Sequence, residues 1–380
     1  MCFFKSLTAS YDDLAFYYGN RNLDHLVKEF EASFQSIQNH VQPIREKLSV
    51  LMDRDPQLAQ LSLMQPNQLY NQLLSYSKKA GRPAVYTQQD VTLMKRYLRD
   101  IERFQPSGIS AYYENGFDLF ATPVLTAGDP ENYKMFHWGL VPTEVPDKNA
   151  WLDEKERLNA KSEWVPMSDD FRHTFEKGQR YLIPVSGFYE WRTLDEEVGD
   201  EDAKIKIPYY VTFRDQKPRM MAGLYSRWRN PLTNEFYYSY VLLTTKANAI
   251  LEYVHNTKKR MPVFIPQEQW SKWLDKTLSP RESLQMCQPY LDPDMRAYTI
   301  TKLLSSNDAH RNVPHVRYPM NYNPAIEQAI YFLQAGNHKQ ALEVFREAVA
   351  RSTANANQID IQHLELAARQ PIIAELSLAA

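Results

Sequence analysis

The sequence predicts a mixed α+β protein, an antiparallel β-barrel-like core carrying a helical insertion near the N-terminus and a helical hairpin at the C-terminus. Three observations carry that prediction. Apolar residues recur at steps of three or four between Asn22 and Met52; short β-branched and aromatic runs separated by Pro, Gly and Asp fill the stretch from Ile109 to about Val316; and the helical spacing returns beyond Asn321. At 380 residues, 43% hydrophobic and 13% aromatic, the chain can bury a substantial core and has length for two or three units.

After the apolar start Cys2-Phe3-Phe4, the first helical segment places Leu26, Phe30, Phe34, Ile37, Val41, Ile44, Leu48 and Leu51 on one face, with an interruption expected at Pro43. A second helix is expected after Thr87, which forms a capping-box pattern with Asp90 and is followed by Val91, Met94, Leu98 and Ile101. Residues 22–104 are therefore read as the insertion, and 1–20 with 109–316 as the core. Strands are expected at Leu119–Leu125, Tyr133–Leu140, Arg180–Pro184, Tyr209–Phe213, Arg219–Tyr225 and Tyr237–Thr244. The acidic run Asp195–Asp202 reads as a solvated hairpin loop. Residues 321–380 form the extension: Ile326, Ile330 and Leu333, a turn at Gly336-Asn337, then Ala341, Leu342, Phe345 and Val349. This pattern resembles one tetratricopeptide-type hairpin, and a single unit cannot stack into a solenoid, so packing against the β core is expected.

A formal net charge of -2 excludes a surface coated in basic charge, so any nucleic-acid contact must rest on a local groove. No run of about 18 apolar residues occurs and the N-terminus lacks a signal-like pattern, so an intracellular protein, cytoplasmic or nucleoid-associated, without membrane contact is expected. Two cysteines, Cys2 and Cys287, are too few for a disulfide framework or a four-thiolate zinc site. No metal or cofactor is expected.

Chemistry concentrates in five segments. If Met1 is removed, Cys2 presents an α-amine and a thiol together. The α-amine has a reference pKa of about 7.7–8.0, so a useful fraction is nucleophilic at neutral pH; it can form a Schiff base with an aldehyde, and the thiol can close on that carbon as a thiazolidine. In Ser186-Gly187-Phe188-Tyr189-Glu190-Trp191, large aromatics flank a carboxylate, and desolvation there would let Glu190 carry a proton near pH 7. Asn159-Ala160-Lys161-Ser162-Glu163 offers an amide that can orient the amine and, in Lys161, a cation for a phosphate. His255, followed by Lys258-Lys259-Arg260-Met261-Pro262, can shuttle a proton or hold a phosphate beside a reacting sugar, with Lys258 and Arg260 as DNA contacts. Trp138, at a bend in His137-Trp138-Gly139-Leu140-Val141-Pro142, can stack on a base. Each segment taken singly also has a structural reading: a small buried hydrophobe for Cys2, a strand-end carboxylate for Glu190, a core indole for Trp138.

Together, Met1-Cys2, the Trp138–Pro142 run, Asn159–Glu163, Gly187–Trp191, and His255 with Arg260-Met261-Pro262-Val263 resemble the SOS-response-associated peptidase family, the abasic-site processing proteins. The resemblance covers residues 1 to about 20 and about 109 to 316. It implies a β-barrel-like fold with a cleft for single-stranded DNA containing abasic sites, and a mature N-terminal Cys that crosslinks covalently to the abasic sugar as a thiazolidine. It further implies Cys2 as nucleophile, Asn159 as its positioning residue, Glu190 as acid/base, His255 beside the sugar and phosphate, and a self-processing peptidase activity that exposes the Cys. Three departures stand out: Phe3 and Phe4 replace a common Gly-Arg, Lys161 replaces an Arg, and Val145-Pro146 stand where a tryptophan is often found. Two other readings stay open. One is a thiol peptidase acting in trans with His255 as base; the other is a non-catalytic single-stranded DNA binder, with Lys95, Arg96 and Arg99 contributing. The helical additions are candidate contacts for replication or repair partners.

Overall fold

The computed structural model describes residues 3–10, 13–14, 24–52, 69, 72–73, 87, 104–105, 108–193, 206–305 and 311–320, with a few more up to 347. The chain divides into two compact units, Met1–Ala9 with Ala111–Ala380, and Ser10–Ser110.

The larger unit holds the β core. Strands β4 (Ala121–Thr126), β5 (Asp129–Trp138), β7 (Arg180–Val185), β10 (Arg219–Arg229) and β11 (Phe236–Lys246) follow the path β10-β7-β4-β5-β11, and a further β10–β11 pairing closes them into a five-strand barrel. Closure leaves these strands without a free edge. Most pairings are antiparallel, as the sequence predicts, but β11 runs parallel to β5 and to the short β6 (Asn159–Lys161). A second sheet runs through β13 (Met295–Thr299), β9 (Lys206–Phe213), β8 (Gly187–Thr193), β1 (Phe4–Ser10) and β3 (Gly108–Asn115). The six predicted strands coincide with β4, β5, β7, β9, β10 and β11 within a few residues at each end.

One core cluster spans both sheets and includes Trp138, Leu158, Phe188, Ile207, Tyr240, Leu251 and Val254. The strands alternate apolar side chains into it because a strand's residues face opposite sides with period two. Gly187 is required where β8 starts: a Cβ there would lie 2.5 Å from both the Tyr210 hydroxyl and the Val211 carbonyl.

In the smaller unit, helix α1 (Asp24–Met52) runs through Pro43 without the expected interruption. A proline inside a helix costs about 3 kcal/mol. Here Pro43 is exposed while Val41, Ile44 and Leu48 are buried on one face, and burying three such side chains more than offsets that cost. The second predicted helix, its basic residues Lys95, Arg96 and Arg99, the acidic run at 195–202 and most of the 321–380 extension lie outside the described residues; within the extension, Phe332 packs on the main core cluster. Among the described residues no helix is long and apolar enough to cross a membrane.

Candidate functional site

Four segments deliver the predicted polar groups around the main cluster. Strand β8 carries Glu190, whose register partner on β9 is Tyr209. Strand β6 carries Asn159, set against Leu242 of β11. Helix α4 (Ala249–Val254) is N-capped by the Asn248 side chain on the Leu251 amide and ends on His255. Strand β1 pairs with β8 at Lys5↔Phe188 and Ser6↔Gly187, and the same register continued brings Phe4 opposite Tyr189 and Phe3 opposite Glu190. Phe3 is further fixed by its carbonyl, which accepts from the Gly116 amide at 2.8 Å, and by its ring, 5.0 Å from that of Phe117. Cys2 lies outside the described residues.

Glu190 and His255 are brought together: Oε1 lies 3.9 Å from Nδ1, and the two residues are 4% and 5% exposed. Desolvation pushes the Glu190 carboxyl up to about 7, against the positive charges of the chain's amino terminus and of Lys258 and a backbone hydrogen bond. Burial, with the amino terminus and Lys258 adding to it, pushes His255 down to about 4. The carbonyl of Arg260 can only accept, so His255 Nδ1 donates to it at 3.0 Å, and the neutral ring holds its lone pair on Nε2. At neutral pH the pair is therefore a carboxyl that half retains its proton beside an uncharged imidazole.

Two of the predicted catalytic residues keep hydrogen-bonding atoms unspent. Glu190 Oε1 and both polar atoms of the Asn159 amide are buried without a hydrogen-bond partner among the described residues. An orphaned buried polar group costs about 1–3 kcal/mol, and its retention points to a ligand that satisfies it. The segments holding Glu190 and His255 are tied together by Asn256, whose side-chain amide donates to the Thr193 carbonyl at 2.8 Å and accepts from the Thr193 amide at 3.0 Å, so that the end of β8 is locked to the residue after His255.

The predicted DNA contacts separate into two groups. Lys161 and Lys258 are exposed and free to meet phosphates. Trp138 and Arg260 are not. Trp138 is 0% exposed, donates from its indole N–H to the Leu158 carbonyl at 2.9 Å and stacks on Tyr240, so its ring is core and cannot receive a base. The expected bend follows it at Gly139, whose φ of 122 favours glycine. Arg260 is buried, paired through both terminal nitrogens with Glu163 and bonded to the Thr244 carbonyl at 2.7 Å. It braces β12 (Arg260–Pro262) against β6 and β11 instead of reaching out. Glu163→Ala is expected to destabilise the fold by about 1–2 kcal/mol in urea unfolding, short of the 3–5 kcal/mol typical of a fully buried pair because Glu163 remains half exposed.

Sequence reasoning missed the Glu163–Arg260 pair, the Asn256 clamp and a buried Lys5–Glu114 ion pair, with Lys5 5.6 Å from the Trp138 ring centroid. Partners 97 and 109 positions apart leave no local pattern to read. Cys287 is excluded as a nucleophile: burial pushes its thiol up to about 12, and Sγ donates to the Ser283 carbonyl at 3.4 Å. Among the described residues no three His, Cys, Asp or Glu side chains gather as a metal site.

The family model described as SOS response associated peptidase matches residues 81–307. Abasic site processing protein YoqW of Bacillus subtilis is 29% identical over 212 residues, 54% of this chain and 87% of the relative. Abasic site processing protein HMCES of Xenopus tropicalis is 26% identical over 171 residues, 40% of this chain and 48% of the relative. A crystal structure of a Bacteroides thetaiotaomicron protein superposes with a TM-score of 0.50 at 30% identity, covering 56% of this chain and 87% of that one.

Proposed function

The chain belongs to the SOS response associated peptidase family, and from that premise we propose that it processes abasic sites in single-stranded DNA by bonding the sugar aldehyde to Cys2 once Met1 is gone. The observation that carries the reading is the Glu190–His255 pair, buried beside the strand that leads directly from the N-terminus. Cys2 is bonded to Phe3, so connectivity alone holds its Cα within about 3.8 Å of the Phe3 Cα. The names of relatives such as YoqW support abasic DNA as the substrate.

The sequence of steps follows from the groups present. The neutral α-amine of Cys2 adds to the aldehyde carbon to give a carbinolamine. Glu190, still protonated in part near pH 7, donates its proton to the departing hydroxyl, which leaves as water and yields the iminium; the N–H proton then returns to the Glu190 carboxylate to give the imine. The Cys2 sulfur then adds to the imine carbon, its proton passing to the nitrogen, and the five-membered thiazolidine closes. The net change is protein plus DNA minus one water. Asn159 supplies the unspent amide that orients the amine, and neutral His255 offers an acceptor to the sugar or its 5′ side. Lys161 and Lys258 are the phosphate contacts. Removal of Met1 is assigned to the chain's own peptidase activity, consistent with the family description.

Intact mass spectrometry before and after incubation with a single-stranded oligonucleotide carrying one abasic site tests this. The expected result is a protein lacking Met1 that gains the mass of the DNA minus water, in a heat-stable adduct mapping to Cys2. Retention of Met1, or absence of an adduct, overturns it.

A further inference from the structure

We propose that Trp164, immediately after the Glu163 that braces Arg260, is a base-stacking platform for the single strand flanking the abasic site; the inference rests on the DNA reading above. The seven tryptophans of the chain fall into distinct uses. Five donate their indole N–H to backbone carbonyls, Trp138 to Leu158, Trp151 to Leu140, Trp228 to Val145, Trp270 to Ile265 and Trp273 to Tyr181. Trp191 packs edge-on against Phe4 at 5.2 Å. Trp164 is 61% exposed, and among the described residues no hydrogen bond or ring contact engages its side chain. Leaving so large an apolar ring in water forgoes the burial that the other six obtain.

The backbone beneath the ring is pinned. The Trp164 amide donates to the Lys161 carbonyl at 2.9 Å and its own carbonyl accepts from Met167 at 3.0 Å, while Lys161 pairs with Thr244 of β11 and Glu163 with Arg260. Presenting an aromatic on a pinned backbone leaves only its side-chain torsions to be ordered on binding. The surroundings suit a polyanion: Lys161, Lys246 and Lys259 are exposed, Lys246 faces Arg260 across β11 and β12, and the carboxylate of Glu163 is neutralised by Arg260. The spacing suits a strand continuing from the reaction centre. Two strand steps of about 3.3 Å and a β-turn spanning less than about 7 Å keep the Trp164 Cα within about 14 Å of that of Asn159, roughly four stacked nucleotides at about 3.4 Å each.

Fluorescence anisotropy with an undamaged single-stranded oligonucleotide reads the stacking without the covalent step. Trp164→Ala is expected to weaken binding about 5- to 150-fold with an unchanged salt slope, and Trp164→Phe to recover most of it. A cycle with strands carrying tetrahydrofuran spacers, which lack both base and aldehyde, locates the contact. At the position that stacks, removing the base weakens the wild type but not Trp164→Ala. Equal affinity of Trp164→Ala and wild type, or equal sensitivity to every spacer, overturns the inference, including in favour of a protein partner for this ring. Should Trp164→Ala bind normally and still form the Cys2 adduct, only the stacking role falls; should the wild type form no adduct, the reading beneath it falls.

Discussion

Cys2→Ala is expected to bring the heat-stable adduct with abasic single-stranded DNA down to the level of DNA alone, while salt-sensitive binding of the strand persists. The substitution removes the thiol but leaves an α-amine once Met1 is cleaved, so the two chemical halves of the proposed reaction come apart. The amine can still form an imine, which water reverses; without sulfur nothing closes on the imine carbon. Adding borohydride should therefore trap a Cys2→Ala adduct by reducing the imine to an amine, and that adduct should be two hydrogens heavier than the imine. A variant in which Met1 stays attached carries its α-amine on Met1, where the Cys2 thiol cannot close a five-membered ring with it, so it should form no heat-stable adduct in the absence of reductant. Gel electrophoresis after heating, with and without borohydride, separates these outcomes. A heat-stable adduct of Cys2→Ala in the absence of reductant refutes thiazolidine formation, and a heat-stable adduct of the Met1-bearing form in the absence of reductant refutes the need for amine and thiol on one residue. The phosphate contacts proposed for Lys161 and Lys258 are untouched in both variants, so weakened affinity at those positions cannot mimic either result.

What the sequence revealed and what it concealed divides along physical lines. The six strands were legible because β-branched and aromatic runs bounded by Pro, Gly and Asp report local preference, which both neighbours and distant partners reinforce. The barrel-like core was legible as well, but the parallel pairing of β11 with β5 within it was not, since it joins residues about a hundred positions apart. Glu190 was found because flanking aromatics in one segment predict desolvation, the largest cause acting on its carboxyl. The same aromatic richness misled at Trp138: a tryptophan beside a bend reads identically whether it faces water or core, and its hydrogen bond to Leu158 is made across the fold. Arg260 was misread for a related reason, because its position in a basic run says nothing of the Glu163 that consumes its charge. Trp164 was passed over since its exposure depends on a turn pinned by that distant pair.

Glu190→Gln is expected to slow adduct formation about 10²–10⁴-fold, the range typical for loss of a general acid, with the fold intact. The pH dependence carries the sharper signature. The acid form of Glu190 prevails below about 7, whereas the neutral α-amine prevails above its reference range of about 7.7–8.0. The wild-type rate should rise and then fall, with its maximum between those values. In Glu190→Gln the rise from the amine remains and the alkaline fall disappears, so a wild-type rate that climbs without a descent through pH 9 removes Glu190 from the mechanism. Stability changes in the opposite sense to activity. The folded protein holds the Glu190 proton up to about 7 and the unfolded chain only to its ordinary 4.5, so this group's stabilising contribution is complete below 4.5 and is lost as pH rises through 7, amounting to about 3 kcal/mol. His255, lowered from 6.5 to about 4, acts in reverse, adding stability as pH rises through that window. Both variants share His255, so comparing them isolates the carboxyl: near pH 4.5 their urea midpoints should nearly coincide, and at pH 8 Glu190→Gln should be the more stable. A variant that is slower yet more stable at pH 8 is what a carboxyl held protonated in a dry site for chemistry requires, whereas one equally destabilised at both pH values would mark Glu190 as a packing residue.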